Sequence, residues 1–169
     1  GIGGLGPAGL IALQMAKAEG ATKVIGFDLV AERRALALQL GAAECYDPTG
    51  TLPVELPARP QKRGLDVSVD CVGGAAIVRF LLDHTEDAVA LFGVQREDYT
   101  YARGHGPVSI IGYKGHFRES AQYAVDLLAA GKLNLAPLVT HELPLERYGE
   151  AIDLLENRQA IKVCFKPWD

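Results

Sequence analysis

The sequence has no surplus of basic charge: 17 Lys and Arg stand against 21 Asp and Glu in 169 residues, a net charge of −4 with an isoelectric point near 5.6. Without a basic field to hold a polyanion, nucleic acid is not an expected partner. No apolar run approaches the roughly 20 residues that span a bilayer, and no charged-then-apolar signal segment opens the chain, so a cytoplasmic protein with no membrane partner is expected. Cysteine is scarce. Cys45, Cys71 and Cys164 stand far apart in no CxxC or Cys/His ligand spacing, which argues against a disulfide framework or a zinc knuckle and predicts buried small hydrophobes. Internal repeats and low-complexity tracts are also missing. What is there is a globular composition, 49% hydrophobic and 22% charged, in a length that suits one full domain or one domain with an appendage.

Strand and helix signals alternate along the chain. Pro7 to Glu19 carries apolar residues at helical spacing, with Pro in the first turn and Gly20 at the C-cap position. Thr22 to Asp28 predicts a strand, AERRALALQLG a helix stopped by Gly41, and AECYD a short strand. Four prolines between Asp47 and Arg63 predict a loop there. Leu65 to Val72 reads as a strand, GAAIVRFLLDH as a helix, and Ala88 to Val94 and Pro107 to Gly115 as two further strands. The pattern predicts an α/β fold, a Rossmann-type doubly wound parallel sheet covered by helices on both faces. The last fifty or so residues change character, with two amphipathic helices flanking LAPLVTHELPL and a closing strand AIKVCF. The expected division is a nucleotide-binding domain over 1–117 and a C-terminal helical return segment over 118–169.

The chemistry-bearing motif comes first in the chain. Gly4, Gly6 and Gly9 form GLGPAG, a G-x-G-x-x-G opening a helix. The first glycine permits a tight turn, the second lets a pyrophosphate approach the backbone, and the third lets helix pack on strand. Free N–H groups and the positive helix end then attract the anion. An overlapping register at Gly1, Gly3 and Gly6 would leave the helix without its packing glycine, so the later register is preferred. The motif needs a strand in front of it, and with Gly1 already inside the motif the first strand is expected to be largely missing, as in a fragment. Asp28 lies about twenty residues further on, where a carboxylate at the end of the second strand accepts hydrogen bonds from both adenosine ribose hydroxyls. An acid there repels a 2′-phosphate, which favours NAD over NADP. Arg33 and Arg34 soften that preference if either swings toward a phosphate, although an exposed helix face is their plainer placement.

These residues resemble the medium-chain dehydrogenase/reductase family of the zinc alcohol and polyol dehydrogenase type. The resemblance rests on GLGPAGLIALQMAKAEGATKVIGFD, ERRALALQLGA, VDCVGG, ALFGV and LVTHELPLERYGEAIDLLENRQAIKV. It implies that Gly4, Gly6, Pro7, Ala8 and Gly9 hold the pyrophosphate of NAD and that Asp28 and Arg33 meet the adenosine ribose. It also implies that Cys71, Val72 and Gly73 lie near the nicotinamide ribose and Phe92, Gly93 and Val94 near its ring, with Lys162 set against the pyrophosphate. The family departs from this chain at the Pro-rich loop, where relatives usually carry a helix.

The resemblance further implies a zinc ion in the full-length parent, held by a small β-rich domain that also binds the alcohol. His84, His105, His116 and His141 form no ligand spacing and are expected on the surface or in loops. No catalytic residue and no metal ligand is therefore assigned, and this chain alone is expected to be inactive. The parent is expected to be a homo-oligomer, dimer or tetramer, acting on a small alcohol or polyol. An FAD-binding domain, a methyltransferase and a non-catalytic dinucleotide-binding module remain open as alternatives.

Overall fold

A computed structural model describes residues 1–57 and 64–168. In chain order the elements are β1 (Ile2–Gly3), α1 (Pro7–Ala18), β2 (Ile25–Phe27), α2 (Ala31–Gln39), β3 (Glu44–Tyr46), β4 (Leu65–Asp70), α3 (Ala75–His84), β5 (Thr85–Leu91), β6 (Ser109–Gly112), α4 (Arg118–Ala129), β7 (Val139–Leu143), α5 (Tyr148–Glu156) and β8 (Lys162–Phe165). The first six strands form one sheet in the order β3-β2-β1-β4-β5-β6, every pairing parallel. That is the Rossmann order, which reverses direction between β1 and β4.

Although β1 is only two residues long, it sits at the centre of the sheet. Ile2 and Gly3 pair with Gly26 and Phe27 on one side and with Val69 and Asp70 on the other. The amine of Gly1 continues the ladder by donating to the carbonyl of Val67 at 2.8 Å.

Alternation along the strands divides the core between the two faces of the sheet. Ile25 and Phe27 pack with Val78, Leu81 and Leu82 of α3, while Ile2 and Val24 pack with Leu10 and Leu13 of α1 and Ala37 of α2. Leu138 from the C-terminal segment joins this second cluster. Buried Gln14 of α1 reaches the same segment: its amide donates to the carbonyl of Asn134 at 3.2 Å, and its oxygen accepts from the Asn134 N–H at 2.7 Å.

Three expectations need correction. The fifth strand runs over Thr85–Leu91, not Ala88 to Val94. Thr85 is fully buried and its hydroxyl pairs with that of Ser68 at 2.6 Å, so the polar residues after α3 already belong to the sheet. The segment before α5 contains β7, which pairs in parallel with β8 as a separate two-stranded sheet. His84 and His105 are buried: His84 stacks on Phe80, and Nε2 of His105 lies 3.3 Å from the carboxylate of Asp83. The three cysteines are free and half-buried. Of the expected loop over 47–63, residues 47–57 carry no helix or strand, and 58–63 lie outside the described residues.

Candidate functional site

The turn after β1 gives each glycine of GLGPAG a separate reason to be glycine. Gly4 has φ +88°, a left-handed conformation that side chains disfavour. A Cβ on Gly9 would overlap the carbonyl oxygen of Gly4, so only glycine lets α1 begin this close to the turn. Gly6, the N-cap of α1, is the opposite case, since a Cβ there would meet nothing within 4 Å. The space in front of Gly6 is open, and Pro7 at the first helical position has no N–H to leave unsatisfied. The N–H groups of Ala8 and Gly9 have no acceptor within the helix. Gly4, Gly6 and Gly9 are therefore the register the fold uses.

Asp28 follows β2 and is held from two sides. Oδ2 accepts from the N–H of Leu5 at 2.7 Å and Oδ1 from the N–H of Val30 at 2.8 Å. One bond fixes the carboxylate to the glycine turn and the other to the entrance of α2. Each oxygen retains acceptor capacity for a further donor. Neither neighbouring arginine lies on an exposed face. Arg34 turns back to donate to the Asp28 carbonyl at 2.7 Å. Arg33 is mostly buried, 4.0 Å from Asp28 Oδ2, and donates to the carbonyl of Ala160 at 3.4 Å.

A cleft of about 440 Å³ opens over the C-terminal ends of β1, β2 and β4. Phe27, Leu29, Pro48, Val72, Ile77 and Phe80 make its walls largely apolar, and Asp28, Arg33, Glu97 and Arg158 supply its charges. The cleft lies where the strand order reverses, the place at which open α/β sheets take ligands. Among the expected site residues Gly4, Asp28, Arg33 and Val72 line it. Arg158 was not anticipated; it stands in a polar turn after α5 with no motif to mark it.

Cys71, Val72 and Gly73 follow β4, and Phe92, Gly93 and Val94 follow β5. Gly73 has φ +85°, and a Cβ on it would overlap the carbonyl of Val94, so the two loops pack backbone against backbone. Fully buried Asp70 organises both. Oδ1 accepts from the N–H groups of Val72 and Gly73 at 3.0 and 3.1 Å, and Oδ2 accepts from the Gln95 amide at 2.9 Å. An Asp at a strand end, three residues before a glycine, was a legible sign of such a turn. Burial drives the Cys71 thiol up to about 12, which keeps it protonated and unreactive near neutral pH. Phe92 is half-exposed and meets Tyr113 edge-on at 5.3 Å, and Val94 is exposed.

Lys162 lies apart from this assembly. It is exposed on β8 opposite Val139 and does not line the cleft. Among the described residues no group of three or more His, Cys, Asp or Glu converges to hold a metal ion, and no helix is long and apolar enough to cross a membrane.

Residues 7–98 match the profile of the zinc-binding dehydrogenases. The chain belongs to that family. Rat sorbitol dehydrogenase is 31% identical over 170 residues, covering 96% of this chain and 48% of its own length. Rabbit alcohol dehydrogenase class-2 isozyme 2 is 31% identical over 172 residues, covering 94% of this chain and 45% of its own. Among solved structures, alcohol dehydrogenase TADH from Thermus sp. ATN1 superimposes with a TM-score of 0.81 at 28% identity, over 96% of this chain and 49% of that one. A zinc-binding dehydrogenase from Sinorhizobium meliloti, solved bound to NADP, gives 0.83 at 27% identity, over 98% and 51%. The chain spans about half the length of the curated relatives it matches.

Proposed function

We propose that this chain is the cofactor-binding part of an oxidoreductase that transfers hydride between an alcohol or polyol and NAD. The observation that carries the proposal is the division of labour at Gly4, Gly6 and Gly9, beside a carboxylate already oriented by the same turn. The open space at Gly6, the free N–H groups of Ala8 and Gly9 and the positive end of α1 suit a pyrophosphate. Asp28 accepts the adenosine ribose hydroxyls, Arg33 lies beside them, and the apolar wall of Phe27, Ile77 and Phe80 suits an adenine ring. The loops at Cys71–Gly73 and Phe92–Val94, fixed to each other through Asp70, extend toward the nicotinamide end. Lys162 is assigned to the pyrophosphate on resemblance alone. When bound, the nicotinamide ring supplies the hydride acceptor.

Zinc belongs, in this proposal, to the longer parent. The described residues offer no donor set for it, so no step through the metal is derived. The chain alone is then expected to turn over neither simple alcohols nor polyols. Association into a homo-oligomer is proposed through β6, an edge strand with exposed Ile110 and Ile111.

The test is Gly6→Asp. Its Cβ meets open space, so the fold is retained, but a carboxylate stands where the pyrophosphate would lie. NADH titration followed by ligand fluorescence should show saturable binding to the parent sequence and a loss of about 100-fold or more in the variant, the scale of an unfavourable like-charge contact. Equal affinity in a folded Gly6→Asp protein would refute the proposal.

A further inference from the structure

Gln95 is an exposed side chain that does not stay in solvent. Its Nε2 folds back to donate to Oδ2 of Asp70 at 2.9 Å and to the carbonyl of Gly93 at 3.0 Å, so one amide ties the end of β4 to the end of β5. The backbone around it is joined to the same loop. The N–H groups of Phe92 and Gly93 both donate to the Asp70 carbonyl at 2.9 Å, and the Arg96 N–H donates to the Gly73 carbonyl at 3.0 Å. Glu97 closes the row by accepting from the Ala75 N–H at 2.9 Å, at the start of α3. Holding a free glutamine in one rotamer costs side-chain entropy, so the bonds it makes there must return more than water would.

The return comes from Asp70, which is fully buried. Each oxygen of a buried carboxylate is costly without a donor. Oδ1 has the N–H groups of Val72 and Gly73, and Oδ2 has Gln95. Taking Nε2 away leaves Oδ2 to draw in water or to rotate toward another donor, and either movement loosens the hold of Oδ1 on the turn. Val72, the first residue of that turn, lines the cleft. A line of contact therefore runs from Gln95 through Asp70 to Val72 and the cleft wall. With Asp28 at the adenosine end and the glycine turn at the sheet centre, the second half of a dinucleotide crosses the switch point over β4 toward β5, which is where this line ends. The backbone bonds between the two loops do not involve the glutamine side chain, so they hold the strand ends together without it.

We propose that Gln95 is a positioning residue for the nicotinamide half of the dinucleotide, acting through Asp70 to set the Val72–Gly73 turn against which that half lies. The inference rests on the dinucleotide seat proposed above. Gln95 stands just outside the stretch Phe92–Val94 that the family resemblance singles out, and it works on the cofactor at second hand, by fixing the loop that meets it.

The experiment is calorimetric titration of the intact chain with NADH and with ADP-ribose, which has both riboses and both phosphates but no nicotinamide, for the parent sequence and for Gln95→Leu. Emission of the reduced nicotinamide is recorded in the NADH series. The substitution is at an exposed position and keeps the approximate size of the side chain, and retained ADP-ribose binding shows that the variant is folded. The parent should bind NADH more tightly than ADP-ribose, with enhanced nicotinamide emission. In Gln95→Leu the NADH affinity should fall by about tenfold, toward that of ADP-ribose, the low end of the range for a hydrogen bond to a charged group. The emission should return toward that of free NADH, while ADP-ribose affinity changes less than about threefold. Unchanged NADH affinity and emission in the variant, an equal loss for both ligands, or a parent that binds the two alike overturns the positioning role and leaves the seat standing. Binding of neither ligand to the folded parent overturns the seat itself and the inference with it.

Discussion

Helices α1 and α5 both carry apolar residues at helical spacing, the more amphipathic of the two being α5, and they have different fates. α1 buries Gly9, Leu10, Leu13 and Gln14, whereas α5 buries only Ala151 and leaves Ile152 and Leu155 about half-exposed. α4 resembles α5, with Leu127 alone buried. The first half of the chain closes a core on both sides of its sheet; the C-terminal segment holds on through Leu138, the Gln14–Asn134 pair and the Arg33–Ala160 bond. An apolar stripe thus reports that a helix has a face to cover, not that anything in this chain covers it.

The widest contrast should appear on truncating one leucine in each helix. Leu13→Ala removes a fully buried side chain and should cost about 2 to 5 kcal/mol, while Leu155→Ala should change stability by no more than about 0.5 kcal/mol. Urea denaturation of both variants measures the difference, and similar losses would erase the distinction between the regions. Asp70→Ala comes next. It strands the Val72 and Gly73 N–H groups and should cost about 1 to 3 kcal/mol. It should also speed hydrogen exchange at those two amides while leaving the C-terminal segment unchanged.

Arg158→Gly, which relieves a left-handed conformation, should stabilise the chain by about 1 kcal/mol in the same urea series.

The parallel α/β class and the glycine turn were legible because both follow from strong local signals, the alternation of strand and helix patterns and the glycine spacing. The register of β5 was not. AVALFGV is the more apolar window, but Thr85 enters the sheet because it finds the Ser68 hydroxyl, a long-range contact that no local pattern encodes. β7 escaped notice because VTHEL is short and half-polar, and its partner β8 follows only after another helix. At the site, Asp28 was found from its distance to the glycines, while Asp70 and Arg158 were missed. Asp70 looked like the end of an apolar strand, and Arg158 owes its place in the cleft to the docking of the C-terminal segment.

The central claim is that the first half of the chain holds the dinucleotide, and amide mapping tests it most directly. On titrating NADH into isotope-labelled chain, the N–H signals of Gly6, Ala8, Gly9 and Leu29 should shift together with one saturation curve, while those along α4 stay fixed. Saturable shifts confined to the C-terminal segment, or a glycine turn that does not respond to NADH, would contradict it.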